Sequence, residues 1–237
     1  MIDTHCHLLP GIDDGPRDAA DAVALAQQLA DAGVRDAVCT PHFSLRYPTR
    51  HEDAAARLET LRGALADAGT PLRLGVAAEV SPEHALAAPD EALRERRLGP
   101  RHLLVELEPE TPSGALELTL DRLDALGLVP VLAHPERCRA VRERPALLDD
   151  ARAGGALVQV VAPSLAGRWG DEVAAAAWSL LADGRVDLVA SDAHRARSGG
   201  SHLAHALQML QARFGAAAVA ELTERAPAGV VGDTVAP

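Results

Sequence analysis

Short apolar runs alternate with amphipathic stretches along the whole chain. The runs at 1–4, 35–40, 72–80, 102–106, 129–133, 157–161 and 186–190 are strand-length and predict seven strands. Helical periodicity fills the gaps at 18–32, 51–68, 82–96, 115–126, 144–153 and 171–183, and again at about 201–214. In the first of these, Val23, Ala26 and Ala30 share one side, with Leu25 and Leu29 beside them, while Asp21, Gln28 and Asp31 lie away. Gly33, Gly69, Gly127 and Gly184 stand where helices should stop, because glycine takes the left-handed conformation that ends a helix at little steric cost. Repeated strand–helix units imply parallel strands and an α/β fold. Seven such units suggest a closed or nearly closed barrel, with a doubly wound open sheet as the alternative.

The polar residues at the strand ends decide between these two folds. His5 and His7 close the first run, His42 follows the second, Glu79 ends the third and Glu106 the fourth. His134 follows the fifth, and Asp192 and His194 follow the seventh. An open sheet gathers its site at one switch point, whereas a barrel gathers it around many strand ends, so the distribution favours the barrel.

Each cluster has a plain reading beside the metal-binding one. His5 and His7, two apart on an extended strand, point to one side, as two imidazoles on one ion would require. Asp13 and Asp14 precede Gly15, and either could instead serve a turn or cap the helix from Asp18. Glu79, at the end of an apolar run, needs a partner, either a metal or a buried arginine. Glu106 and Glu108 share a side; Glu106 lies nearer the apolar run and is the better candidate, with Glu108 outside it. Arg137 stands three residues after His134, suited to a bidentate grip on phosphate or to an ion pair with Glu136. The remaining histidines, at 51, 84, 102, 202 and 205, read as structural or solvated.

Composition narrows the function. Net charge is −11, with 34 acidic residues against 23 basic ones, which disfavours a protein that grips nucleic-acid backbones. All the basic residues are arginine, so a Walker-type phosphate loop, a Schiff base and a carbamylated lysine bridge are excluded. Aromatics are only 2%, leaving the core to Ala, Leu and Val and giving little for bases to stack on. Cys6, Cys39 and Cys138 follow no regular spacing and read as reduced thiols of a cytoplasmic protein. Residues 1–15 lack the pattern of a signal peptide, and no apolar run reaches a membrane span. Cys138 and Arg144 form a literal Cys-x5-Arg, the outline of a thiol phosphatase loop. The five residues between them contain no glycine to let backbone amides curl around phosphate.

Taken in order, these motifs resemble the polymerase and histidinol phosphatase (PHP) superfamily, and the opening HCHLLPGIDDG resembles its bacterial capsule and exopolysaccharide branch of protein-tyrosine phosphatases. The resemblance spans residues 2 to about 200 and is most specific at LPGIDDG and AHPER. It implies a single-domain, distorted seven-stranded TIM-like barrel, taken over 1–225, while the Pro- and Gly-rich composition of 226–237 predicts a loosely packed tail. It also implies two or three divalent ions, Mn, Fe or Zn with Mn favoured. In that pattern His5, His7, Glu79 and Asp192 hold one ion, and Glu79 bridges to a second held by Glu106 and His134. Asp14, His42 and His194 hold the third. Arg137, Asp192 and His194 are the implied catalytic residues, and Arg137 and Arg197 the implied substrate-binding ones, with Arg195 close by. Relatives carry a second histidine where this chain has Phe43. The implied activity is dephosphorylation of a tyrosine-phosphorylated protein, a bacterial tyrosine autokinase controlling capsule synthesis, without nucleic-acid binding or membrane insertion. The alternative is a small-molecule phosphoesterase, for histidinol phosphate or a sugar phosphate, on the same metals.

Overall fold

The computed structural model describes residues 1–196 and 202–235. Nine parallel strands lie among them: β1 (Ile2–Cys6), β2 (Asp36–Cys39), β3 (His42–Phe43), β4 (Arg73–Val76), β5 (Glu79–Val80), β6 (His102–Glu106), β7 (Val129–Ala133), β8 (Leu157–Val161) and β9 (Leu188–Ala190). They form two sheets, ordered β1-β2-β4 and β3-β5-β6-β7-β8-β9. The strand count therefore differs from the expected seven, because the run at 72–80 is divided and the run at 35–40 is followed by a further short strand, β3. Pro41, which has no N–H to donate, separates β2 from β3. Ala78 separates β4 from β5: its N–H turns out of the ladder to the Arg96 carbonyl at 3.2 Å. Backbone pairing resumes at once, with Glu79 N donating to Pro41 O at 3.1 Å.

Proline also divides the helix predicted over 82–96. The 82–96 stretch forms Pro82–Ala87 and Asp90–Glu95, since Pro89 holds Ala88 in an extended conformation. The helix predicted over 144–153 is present as Ala146–Ala153, beginning after Pro145, and a separate short helix, Arg139–Glu143, precedes it. The first helix, Ala19–Asp31, is capped by Asp18, whose carboxylate accepts from Asp21 N. Its buried stripe is Ala22, Leu25, Ala26 and Leu29, rotated from the one expected around Val23 and Ala30. All four predicted stop glycines have positive φ.

Most of the core lies between strands and helices, but a second cluster gathers Val38, Ala77, Leu104, Val131, Ala133 and Leu188 from the other strand faces. The C-terminal segment covers this cluster. Ala226–Val231 is helical, and Val230, Val231 and Val235 are buried in the same cluster. The expectation of a loose tail from 226 onward thus gives way to a packed one, because the inward apolar residues of the strands would otherwise meet water. Two glycines make room for it. A side chain at Gly99 would collide with the Val230 carbonyl, and one at Gly75 with the Thr234 carbonyl. His102 adds a hydrogen-bond contact to Val230 O at 3.1 Å. With one end of the strands covered in this way, the opposite end carries the polar clusters.

Candidate metal centre

The strand ends bring distant residues to one point. His5 is in β1, and His7 lies just beyond it; His42 begins β3, Glu79 begins β5, Glu106 ends β6, and His134 directly follows β7. Asp192 and His194 follow β9, and a bridge between Cys6 and Ala193 lays that segment against β1. All nine residues expected as ligands fall into four overlapping groups. These are His7–Asp14–His42–His194, His5–Glu79–His134, His5–His7–Asp192 and His42–Glu79–Glu106, with donor atoms within 4.8 Å of one another in each. The grouping differs from the implied partition: Glu106 gathers with His42 and His134 with His5, Glu79 belonging to both of these sets but not to the one with Asp192, and His7 also joins Asp14, His42 and His194.

Glu79 is central and buried. Its Oε1 lies 2.8 Å from His134 Nε2, and its Oε2 lies 3.0 Å from His42 Nδ1 and 3.4 Å from Nε2 of both His5 and His7. Asp192 faces His5, His7 and His194 at 3.4, 3.7 and 3.5 Å. Asp14 lies 3.4 Å from both His42 and His194. The two non-glycine residues with positive φ among the described residues are His134 and Asp192, at 36° and 49°. Such backbone costs about 1–3 kcal/mol and persists where the surroundings impose it, here at two members of the cluster.

A ring of further groups sets the orientation of the imidazoles. His5 Nδ1 meets Gln159 Oε1 at 2.9 Å, and Gln159 in turn donates to Thr4 Oγ1. His7 Nδ1 meets Asp13 Oδ2 at 2.8 Å, and that carboxylate also accepts from Gly15 N and His42 N. Both rings are thereby turned with Nε2 inward, as a metal-ligating histidine usually is. The two adjacent acids differ in their partners: Asp13 makes the turn and holds His7, and Asp14 faces two histidines. Asp3 accepts from Ser191 N and Oγ, at 3.0 and 2.5 Å, and braces β1 against the segment bearing Asp192. Sequence reasoning missed Gln159 and Asp3. Only Asp3 left a signal, since alternation places it on the same side as His5 and His7.

Charge and burial oppose each other throughout this cluster. Burial opposes a charge on His5, but the Glu79 and Asp192 carboxylates outweigh it and raise its pKa to about 9. His7 is raised to about 9 in the same way, against burial, by Asp13. Burial would also neutralise Glu79, yet His5 and His42 hold it well below the usual carboxylate range. Asp14 Oδ1, His42 Nδ1, Glu79 Oε2 and His134 Nδ1 remain buried without a hydrogen bond. Buried donors of this kind are normally satisfied, and cations would satisfy them in place of protons. The donor set is nitrogen and carboxylate oxygen with no sulfur, a chemistry that fits divalent metal ions.

The cluster floors a cleft of about 600 Å³ whose walls include Arg46, Tyr47, Arg137, Pro163, Arg168, Trp169 and Arg195. Arg137 Nη1 is 3.7 Å from Asp192 Oδ2, and its guanidinium lies 4.7 Å over the Trp169 ring. Glu136 is fully buried and accepts from Val161 N at 3.2 Å. Arg195 donates to the Asp14 carbonyl at 3.1 Å; Arg197 lies outside the described residues. Glu108 is exposed on the cleft wall. Cys6, Cys39 and Cys138 are all free and buried, and Cys138 Sγ points to the Thr111 carbonyl at 3.5 Å. Cys138→Ser should therefore leave kcat/KM within about twofold of the parent and leave chelator sensitivity intact. Collapse of kcat in that variant, with resistance to chelators, would establish a thiol nucleophile instead.

Comparison with known proteins places this geometry in context. The model of the family described as "Capsular polysaccharide synthesis, CpsB/CapC" matches residues 1–232. The chain is 34% identical to the tyrosine-protein phosphatase YwqE of Bacillus subtilis (strain 168), over 95% of this chain and 90% of that one. It is 30% identical to the CapC protein of Staphylococcus aureus, over 82% and 77%. A solved structure from work on YwqE of B. subtilis and CpsB of Streptococcus pneumoniae, there called unique metal-dependent tyrosine phosphatases, matches with a TM-score of 0.83. Sequence identity is 32%, and the match covers 96% of this chain and 93% of that chain.

Proposed function

This chain belongs to the CpsB/CapC family of capsular polysaccharide synthesis, and from that premise we propose that it is a metal-dependent phosphatase of tyrosine-phosphorylated proteins. The observation that carries the reading is the meeting of nine histidine and carboxylate side chains around Glu79 on the floor of an arginine-walled cleft. His5, His7, Asp14, His42, Glu79, Glu106, His134, Asp192 and His194 would hold two or three ions, with manganese favoured. When bound, such ions supply Lewis acidity, neutralising phosphoryl charge and acidifying water to about neutral pH. The other tasks fall to the protein. Asp13 and Gln159 fix the His7 and His5 rings. Arg137 offers two N–H groups to phosphoryl oxygens. Asp192 and His194 complete the catalytic set, because Asp192 joins the histidine cluster to Arg137. A tyrosyl leaving group, with a pKa of about 10, needs less help from a proton donor than an alkoxide does.

In this reading the two sheets make one distorted barrel of seven segments, β2 with β3 and β4 with β5 each counting as one. The Cys6–Ala193 bridge and the Thr40 N to Cys6 O bond at 2.8 Å support it. The barrel domain would span 1–225, with 226–235 docked beneath it. The partner would be a bacterial tyrosine autokinase of capsule export, in keeping with the family description. A cytoplasmic location would suit three free thiols. Among the described residues no helix is long and apolar enough to cross a membrane.

The test compares metal-loaded protein on a phosphotyrosyl peptide and on histidinol phosphate. The peptide should be favoured by about tenfold or more in kcat/KM, and elemental analysis should give two or three metal equivalents per chain. Preference for histidinol phosphate would replace this reading with the small-molecule one, and at most one equivalent after reconstitution would end the trinuclear model.

A further inference from the structure

The sequence has two Trp, one Tyr and two Phe, and two of these five aromatic side chains, the Tyr and one Trp, line the cleft. Tyr47 is already engaged, its ring stacked on His42 at 5.4 Å between centroids with 14° between the planes. Trp169 is different. It is 44% exposed, and of the four large apolar side chains exposed among the described residues it alone lines the cleft. An indole left half in water inside a concave, charged site is an unused apolar surface, and such surfaces mark binding positions.

Its placement is fixed from below and from the side. The loop after the Ala162–Leu165 turn is held by backbone bonds from Gly167 N to Ser164 O, Arg168 N to Pro163 O and Gly170 N to Gly167 O. Gly167 and Gly170, on either side of Arg168 and Trp169, have φ of 76° and 94°, a conformation that a side chain would strain. Pro163 also lines the cleft and is apolar. Arg137 lies 4.7 Å over the ring and 3.7 Å from Asp192, so the indole sits one side chain away from the metal-binding cluster. Arg168, itself exposed, lies 5.4 Å over the same ring.

We infer that Trp169 is the specificity-determining residue for aryl phosphates: its indole is the wall against which the phenyl ring of a phosphotyrosyl side chain packs while Arg137 takes the phosphoryl group. This rests on the phosphatase reading above and adds to it the source of discrimination between aryl and alkyl phosphates. The same contact gives Trp169 a second task, positioning Arg137. Loss of the indole should therefore weaken every phosphate somewhat and aryl phosphates most.

The experiment measures kcat/KM for p-nitrophenyl phosphate and glycerol phosphate in the metal-loaded parent and in the Trp169→Ala and Trp169→Phe variants. The aryl-to-alkyl ratio of each variant is taken relative to the parent, so the difference between leaving groups cancels. In parallel, phenylphosphonate and methylphosphonate compete as inhibitors, a binding readout without turnover. Trp169→Ala should lower the aryl-to-alkyl ratio about five- to tenfold and weaken phenylphosphonate more than methylphosphonate by a similar factor. Trp169→Phe should restore most of both. Equal losses for aryl and alkyl ligands would overturn the aryl wall and leave only the positioning of Arg137. Absence of hydrolysis of any phosphoester by the loaded parent would overturn the phosphatase reading itself, a result distinct from failure of this one.

Discussion

Glu79→Gln should lower turnover of a phosphotyrosyl peptide by about 10²- to 10³-fold or more, and bound metal should fall with it. The substitution keeps the volume of the side chain and removes only its charge, so the packing around it is preserved. That charge is what four imidazoles share: His134 at 2.8 Å, His42 at 3.0 Å, and His5 and His7 at 3.4 Å. Glu79 stands in two of the four candidate ligand groups, so its loss disturbs both at once. A neutral amide offers one weaker acceptor and turns an N–H₂ toward imidazole nitrogens that a cation would otherwise use. Elemental analysis and steady-state kinetics on the same preparation check the prediction. Parent-level metal content and turnover in the variant would reduce Glu79 to a buried partner of protonated histidines.

Arg137→Ala should lower kcat/KM about ten- to a hundredfold while metal content stays at the parent level. The guanidinium reaches Asp192 only at 3.7 Å, too far for a strong hydrogen bond, and Trp169 holds its plane at 4.7 Å. Its N–H groups are thus presented to the cleft beside the cluster rather than consumed by a buried partner. Glu136, the acid that might have claimed it, is instead buried against the Val161 amide. A charge-assisted hydrogen bond is worth about 1.5–3 kcal/mol, which sets the size of the loss. Arg137→Lys should recover only part, because a point charge cannot reproduce the planar fork. Inorganic phosphate should inhibit the alanine variant less than the parent. Unchanged kcat/KM and phosphate inhibition would make Arg137 structural and pass its role to Arg195, already on the cleft wall, or to Arg197.

How these two residues came to be identified shows what a linear sequence encodes. Local rules were enough for the alternation of strand and helix and for the glycine stops, because both depend on residues a few positions apart. The rule that donors sit at strand ends was equally local. With it, His5, His7, His42, Glu79, Glu106, His134, Asp192 and His194 could be selected before any contact was known, and the structure gathers all eight. The helical period over 82–96 runs through Pro89, where the structure breaks it into two helices, although proline is itself a local signal.

What only the tertiary structure decided involves partners far apart in the chain. Asp13 and Asp14 are adjacent and chemically alike; the fold separates them by turning one to His7 and the other to His42 and His194. Gln159 orients His5 across 154 positions, and Asp3 bonds Ser191 across 188. The tail from Ala226 is rich in small residues and turn formers, so nothing in its own pattern announces burial. It packs because the inward faces of the strands leave Val38, Leu104 and Val131 in need of cover, and Gly75 and Gly99 let its backbone approach. Trp169 likewise reads as an unremarked loop residue until β7 and β8 place Arg137 upon it. Periodicity records which side of a segment faces inward, but which side chains meet there is settled only when the parallel strands come into register.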